Sequence, residues 1–183
     1  MVLLASLLVA AYPVDDLHPT PWSVDFFGAQ STFDGRPLPV GAVVRAYDPE
    51  GTLAGRASVT LSGWYLMPVY QDDPATALDE GAQPGDTIVF TVNGHPAVAM
   101  GPDPPVWGEA GTRLHVELWA STLAGDFNGD CAVQVTDVLQ QSAAIGATRG
   151  QPDYYPPFDS DGDGDIDSND LRQTIAHWHA RCP

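Results

Sequence analysis

Six carboxylates fall within one twelve-residue stretch, Asp159-Ser160-Asp161-Gly162-Asp163-Gly164-Asp165-Ile166-Asp167-Ser168-Asn169-Asp170. Held close without a counterion they repel one another and resist compaction, so this part of the chain packs around a cation or stays open. The spacing selects the cation. A calcium loop of the EF type takes side-chain oxygens from positions 1, 3, 5 and 12 and a backbone carbonyl from position 7. Position 9 often holds a water, and a tight turn at position 6 favours glycine. Counted from Asp159, these places are filled by Asp159, Asp161, Asp163, Gly164 at the turn, the carbonyl of Asp165, Asp167 and Asp170. Starting at Asp161 or Asp163 would put Arg172 or Thr174 at position 12, and neither fits the pattern. Ile166, at position 8, is expected to point inward, where two such loops usually pair.

The pattern recurs 33 residues earlier, from Asp126 to Asp137. Its ligand places are Asp126, Asn128, Asp130, the carbonyl of Ala132, Gln134 and Asp137, with Val133 at the inward position. Cys131 replaces the turn glycine and neutral Gln134 stands at position 9. Fewer charges and a less permissive turn predict a weaker first site. Two calcium ions are therefore expected, one in each loop. A helical run follows each loop, Thr136–Ile145 ended by Gly146 and Ser168–Arg181. Apolar residues recur there at helical spacing, at Val135, Val138, Leu139 and Ile145 and then at Leu171, Ile175 and Trp178.

A duplicated calcium loop followed only by its exiting helix, with Asp instead of Glu at position 12, resembles the type I dockerin domain. The resemblance covers about a third of the chain, from Gly125 to Pro183. It implies a small all-α module that plugs an extracellular protein into a cohesin receptor domain. In that family, positions 10 and 11 of each loop help to choose the partner. Here they are Val135 and Thr136, then Ser168 and Asn169; the second pair is polar, as is often seen there, and Val135 departs from that.

Composition narrows the partners. The net charge is −17, and the seven basic residues include no lysine. Nucleic acid and anionic membrane surfaces are poor partners for such a chain. The apolar run Met1–Ala11 is too short to span a bilayer, and no membrane span is expected. It fits the core of a partial secretory signal over residues 1–12, with Val9-Ala10-Ala11 as the cleavage site and no basic residue ahead of it. A buried strand is the alternative. Secretion is favoured independently, because millimolar calcium outside cells suits such loops. Cys131 and Cys182 are the only cysteines. Their even number in an extracellular setting favours a disulfide, with free thiols as the alternative. Such a bond spans 51 residues and, in the chain-entropy model, would contribute about 4 kcal/mol.

Residues 13–120 read differently. Short apolar or alternating runs lie between Gly, Pro and Asp punctuation, at Trp22–Gly28, Gly41–Tyr47, Leu53–Leu61, Trp64–Tyr70, Thr87–Val92, Pro96–Met100 and Arg113–Trp119. Turn pairs such as Asp34-Gly35 and Asn93-Gly94 separate them. This predicts a mainly β domain, a sandwich of the immunoglobulin or fibronectin kind. Residues 121–125 are expected to link it to the module of residues 126–183. Trp64, Tyr65, Trp107 and Trp119 are candidates for stacking on sugar rings, with a place in the core as the alternative for each.

No nucleophile elbow, zinc helix, phosphate loop or redox cysteine pair is present, and no enzymatic activity is expected. Asp25, Glu109 and Glu117 could in principle pair for glycoside hydrolysis, but any acidic sandwich offers such residues. Three roles fit. One is a secreted adaptor docked through a cohesin-like receptor, one is a carbohydrate-binding accessory of polysaccharide degradation, and one is a self-assembling surface protein.

Overall fold

A computed structural model describes residues 16–151 and 153–182. The signal expected over residues 1–12 lies outside the described residues. Six of the seven apolar runs each form one strand, the seventh divides into two, and the β domain is built from two sheets.

In chain order the strands are β1 Ser23–Gly28, β2 Thr32–Phe33, β3 Arg36–Pro37, β4 Val43–Tyr47, β5 Leu53–Ser58, β6 Tyr65–Tyr70, β7 Val89–Val92, β8 His95–Met100, β9 Arg113–His115 and β10 Glu117–Ala120. One sheet has the order β6-β1-β9, and the other β3-β2-β10-β8-β7-β4-β5. Alternation decides the facing of β1, where Val24, Phe26 and Gly28 are buried and the residues between them are not. β7 is buried at all four positions, as expected of a strand deep in the larger sheet. The sheets meet through Phe26 and Phe90, whose rings pack edge to face at 5.5 Å. Between β5 and β6 the backbones approach so closely that a Cβ on Gly55 would lie 2.7 Å from the Pro68 carbonyl oxygen. Only glycine fits there.

Both turn pairs make two-residue hairpins. Asp34-Gly35 joins β2 to β3 and Asn93-Gly94 joins β7 to β8, all four residues with positive φ. The run Arg113–Trp119 divides instead of forming one strand. At fully buried Val116 the N–H donates to Phe27 O at 2.8 Å, and the carbonyl accepts from the Tyr65 hydroxyl at 2.7 Å. These bonds take the backbone out of one sheet, so β9 lies parallel to β1 while β10 joins β8 in the other sheet.

Asp48 and Glu80 are buried acids of the β domain, and Asp48 is the more deeply enclosed. Asp48 directly follows β4, and its Oδ1 accepts from the N–H groups of Gly51 and Thr52, at 2.8 and 2.7 Å. Burial pushes its pKa up to about 7; the Asp79 and Glu50 charges add to the rise, and the backbone donors oppose it. The folded-state value lies above the unfolded one, so the folded protein holds this proton more tightly. The resulting stabilisation is complete below about pH 4 and is lost as the pH rises to about 7. Asp48→Asn is expected to remove that slope. Urea unfolding at pH 4.5 and 7.5, followed by tryptophan fluorescence, should show the wild type losing stability relative to the variant at the higher pH.

The remaining elements are two α-helices, α1 Val135–Ser142 and α2 Ser168–Ala176, each preceded by its acidic loop, and a single 3-10 turn at Pro156–Phe158. The second helix stops well short of Arg181. Its C-cap is His177, and His179 then takes φ +66°, turning the chain back toward the first loop. The helical part seats directly on the β domain. Tyr155 donates its hydroxyl to Ala97 O and accepts from Ala99 N, both at 2.8 Å. Asp34, at the tip of the β2–β3 hairpin, accepts from Thr122 N at 2.8 Å and from Ser121 Oγ at 3.2 Å, so part of the 121–125 segment is held against the sandwich.

Candidate functional site

The two loops share one scheme of backbone bonds to the carboxylates at positions 12 and 1. In each, the position-12 carboxylate gathers the backbone. Asp137 accepts from Phe127 N, Asn128 N and Gln134 N at 2.8, 3.2 and 2.9 Å. Asp170 accepts from the equivalent Ser160, Asp161 and Asp167 N–H groups at 2.7, 3.3 and 2.7 Å. Both carboxylates are fully buried and both sit in the first turn of the following helix, where negative charge is stabilised. The position-1 carboxylates accept from the turn residues, Asp126 from Cys131 N at 2.8 Å and Asp159 from Gly164 N at 3.0 Å. Positive φ recurs at equivalent places, Gly129 and Gly162, Cys131 and Gly164, Gly146 and His179.

The loops do not pair with each other, contrary to the expectation for position 8. Val133 donates to Ala180 O and accepts from His179 N, at 3.1 and 3.0 Å. Ile166 donates to Ala147 O and accepts from Gly146 N, at 2.9 and 2.8 Å. Each loop is thus bridged to the segment that follows the other loop's helix. The side chains of Val133 and Ile166 are fully buried, as position 8 requires. Between the helices, at equivalent positions, the Thr174 hydroxyl donates to Gln141 Oε1 at 2.8 Å. The two loop-helix units therefore form one body related by a pseudo-twofold repeat.

In the second loop the carboxylates converge. Ligand oxygens of Asp159, Asp161 and Asp170 lie within 4.8 Å of one another, as do those of Asp165, Asp167 and Asp170. Asp165 Oδ1 is buried without a hydrogen-bond partner. Burial raises the Asp161 and Asp165 carboxyls above the usual range, and neighbouring carboxylates add to the rise. An all-oxygen, all-carboxylate donor set of this density fits a hard divalent cation. Asp163 also accepts from Asp165 N at 3.1 Å, and Asp167 caps α2 through Asn169 N at 2.5 Å.

The first loop satisfies more of its own charge. Asp130 Oδ2 accepts from Asn128 Nδ2 and Gln134 Nε2, at 3.1 and 3.2 Å, and Oδ1 accepts from Ala132 N at 3.0 Å. The equivalent residues of the second loop are carboxylates and offer no such amides. Burial also raises the Asp126 carboxyl. The disulfide between Cys131 and Cys182 is formed.

Two partners of Asp159 have no place in the loop pattern. The Tyr154 hydroxyl donates to Asp159 Oδ2 at 2.5 Å, and Arg149 Nη2 lies 3.8 Å from the same oxygen. The 33-residue offset aligns Tyr154 with Ser121. That alignment is the one signal in the sequence that hinted at a hydroxyl there.

Val135, Thr136, Ser168 and Asn169 all lie exposed at the starts of the helices. Beside them Leu139 is 61% exposed, and Ile145, Ile175 and Trp178 are also open to solvent, so the apolar spacing read in these helices is partly an outward face. The stacking candidates separate. Tyr65 and Trp107 are buried in the core, which overturns them as sugar platforms; Trp64 is 47% exposed, and Trp119 is half-buried beside Asn128, Thr136, Leu139 and Gln140. Glu117 is committed to structure, accepting from Ala29 N at 3.0 Å, Gln30 N at 2.8 Å and the Ser31 hydroxyl at 2.9 Å.

No protein-family model matches the chain, and no curated protein matches it. Among solved structures, it is similar to two interface mutants of a type II cohesin–X-dockerin complex from Acetivibrio cellulolyticus. The N-terminal interface mutant is 19% identical with a TM-score of 0.30, and the alignment covers 87% of this chain and 97% of that one. For the C-terminal interface mutant the identity is 17%, the TM-score 0.31 and the coverage the same. Superpositions this loose bear on neither fold nor function. Among the described residues, no helix is long and apolar enough to cross a membrane.

Proposed function

We propose that this chain is a secreted, calcium-dependent adaptor. Residues 126–183 bind two calcium ions and form a dockerin-like module, through which the β domain is attached to a cohesin-type receptor. The observation that supports this best is the repetition of one carboxylate-centred bonding scheme in both loops. A duplicated donor set of this kind has little reason to persist as a solvated acidic surface. Asp159, Asp161, Asp163, the carbonyl of Asp165, Asp167 and Asp170 would hold one ion. Asp126, Asn128, Asp130, the carbonyl of Ala132, Gln134 and Asp137 would hold the other. The ions neutralise the clusters and let the helices close on each other.

The outward apolar residues of α1 and α2, flanked by the polar Thr136, Ser168 and Asn169, supply the docking face. The role is binding and not catalysis. Calorimetric calcium titration of the full chain is expected to give two events of unequal affinity. An immobilised type I cohesin domain should then retain the chain in calcium and release it with chelator. Absence of calcium binding would sink the whole reading. Calcium binding without retention would leave the ions a purely structural role.

A further inference from the structure

Loop 1 carries half of a covalent bond at its turn, and loop 2 carries none. We infer that the Cys131–Cys182 disulfide is a redox device that sets the cation affinity of loop 1 and leaves loop 2 unaffected. The inference rests on the calcium reading above.

Cys131 occupies the turn position with φ +69°, where its counterpart Gly164 has φ +97°. The left-handed conformation is strained for a residue with a Cβ and costs glycine almost nothing. In that conformation the Cys131 N–H points at Asp126 Oδ2, the first ligand place, at 2.8 Å. Cys182 returns a backbone bond, its N–H donating to Cys131 O at 3.3 Å. The rest of the edge that shapes loop 1 runs to the same segment, through Val133 with His179 and Ala180 and through the Ala132–Arg181 bridge. Trp178, His179 and Arg181 in that segment are exposed, so the disulfide is its covalent anchor to loop 1. Loop 2 is shaped by Gly146 and Ala147, and Ala147 is buried in a cluster with Ile166 and Tyr154. That support contains no cysteine.

Both cysteines are partly exposed, so a dissolved dithiol can reach the bond. The dithiol gives up two electrons and two protons and closes to its own disulfide. The Cys131–Cys182 bond breaks, and each sulfur becomes a thiol. Cys131 is then free to leave the left-handed turn and withdraw its N–H from Asp126. By linkage, the factor that reduction removes from ion affinity is the factor by which the ion resists reduction.

The test uses the full chain, titrated with calcium in a calorimeter before and after dithiothreitol, beside a Cys131→Gly/Cys182→Ser double variant. Reduction is expected to weaken the lower-affinity event by roughly tenfold or more and the higher-affinity event by less than roughly threefold. The double variant, which keeps a permissive turn and has no sulfur to reduce, should give the same titration with and without dithiothreitol. Thiol release, followed with a thiol-reactive dye, should be suppressed by calcium in the wild type. Equal weakening of both events, or no change in either, would overturn the inference while the calcium reading stands. Absence of any calcium event in the oxidised protein would remove both.

Discussion

Replacing Asp170 with alanine is expected to abolish the tighter calcium event and to unwind α2. The carboxylate is fully buried and accepts from three backbone N–H groups, those of Ser160, Asp161 and Asp167. Alanine removes a cation ligand at position 12 and leaves those donors without their acceptor. An orphaned donor shut off from water costs about 1–3 kcal/mol; with two of the three on exposed residues, a loss of roughly 2–4 kcal/mol from the helical module is expected. Asp170→Asn separates the two contributions, because the amide keeps one acceptor and gives up the charge. It should retain more helix than the alanine variant while still losing the tight event. Asp137→Ala should act mainly on the weaker event. Calorimetry and far-ultraviolet circular dichroism on the full chain read both effects. An unchanged tight event in Asp170→Ala would mean that the second loop is not the ion site.

The convergence of carboxylates in loop 2 is legible from its residues because it is local: every group that meets there falls within one short segment. Loop 1 is legible for the same reason, despite Cys131 at the turn. The bridge between Val133 and Ala180 is not local, and neither is the one between Ile166 and Ala147. The 33-residue offset says which residues are equivalent without saying which ones meet. For the same reason α2 ends at Ala176, short of the Arg181 that its residue pattern predicts. Residues 177–181 have helical composition, but the hydrogen bonds of His179 and Ala180 with Val133, and of the adjoining Cys182 with Cys131, pull the segment out of the helix. The β domain shows the same division. The runs and the hairpin turns could be read directly, whereas the split at Val116 depends on Phe27 and Tyr65, both far away in the chain. Trp64 and Trp107 look equally available in one dimension, and only the packing of both sheets buries one of them.

Trp107→Ala is the second large effect expected, and it falls on the β domain. Trp107 is 1% exposed and is the largest of the fully buried side chains. It lies outside the strands, between β8 and β9, and its indole Nε1 donates to Val69 O at 2.9 Å. Its backbone is pinned by Trp107 N to Asp86 O and Gly85 N to Trp107 O, both at 2.8 Å, so the ring cannot slide away to fill space elsewhere. Truncation leaves a cavity and removes the indole donor from Val69 O, and buried tryptophan-to-alanine changes of this type cost about 3–5 kcal/mol. Trp64→Ala, at an exposed position, should cost less than about 0.5 kcal/mol. Urea unfolding monitored by the remaining tryptophans checks both; a cost below about 1 kcal/mol for Trp107→Ala would contradict the packing. The same variant also measures how closely the two parts of the chain are coupled. If the Tyr155 and Asp34 contacts bind the helical module tightly to the sandwich, destabilising the sandwich will lower the temperature at which calcium-loaded helix melts. If they only orient it, the helix signal in calcium will survive after the sandwich has unfolded.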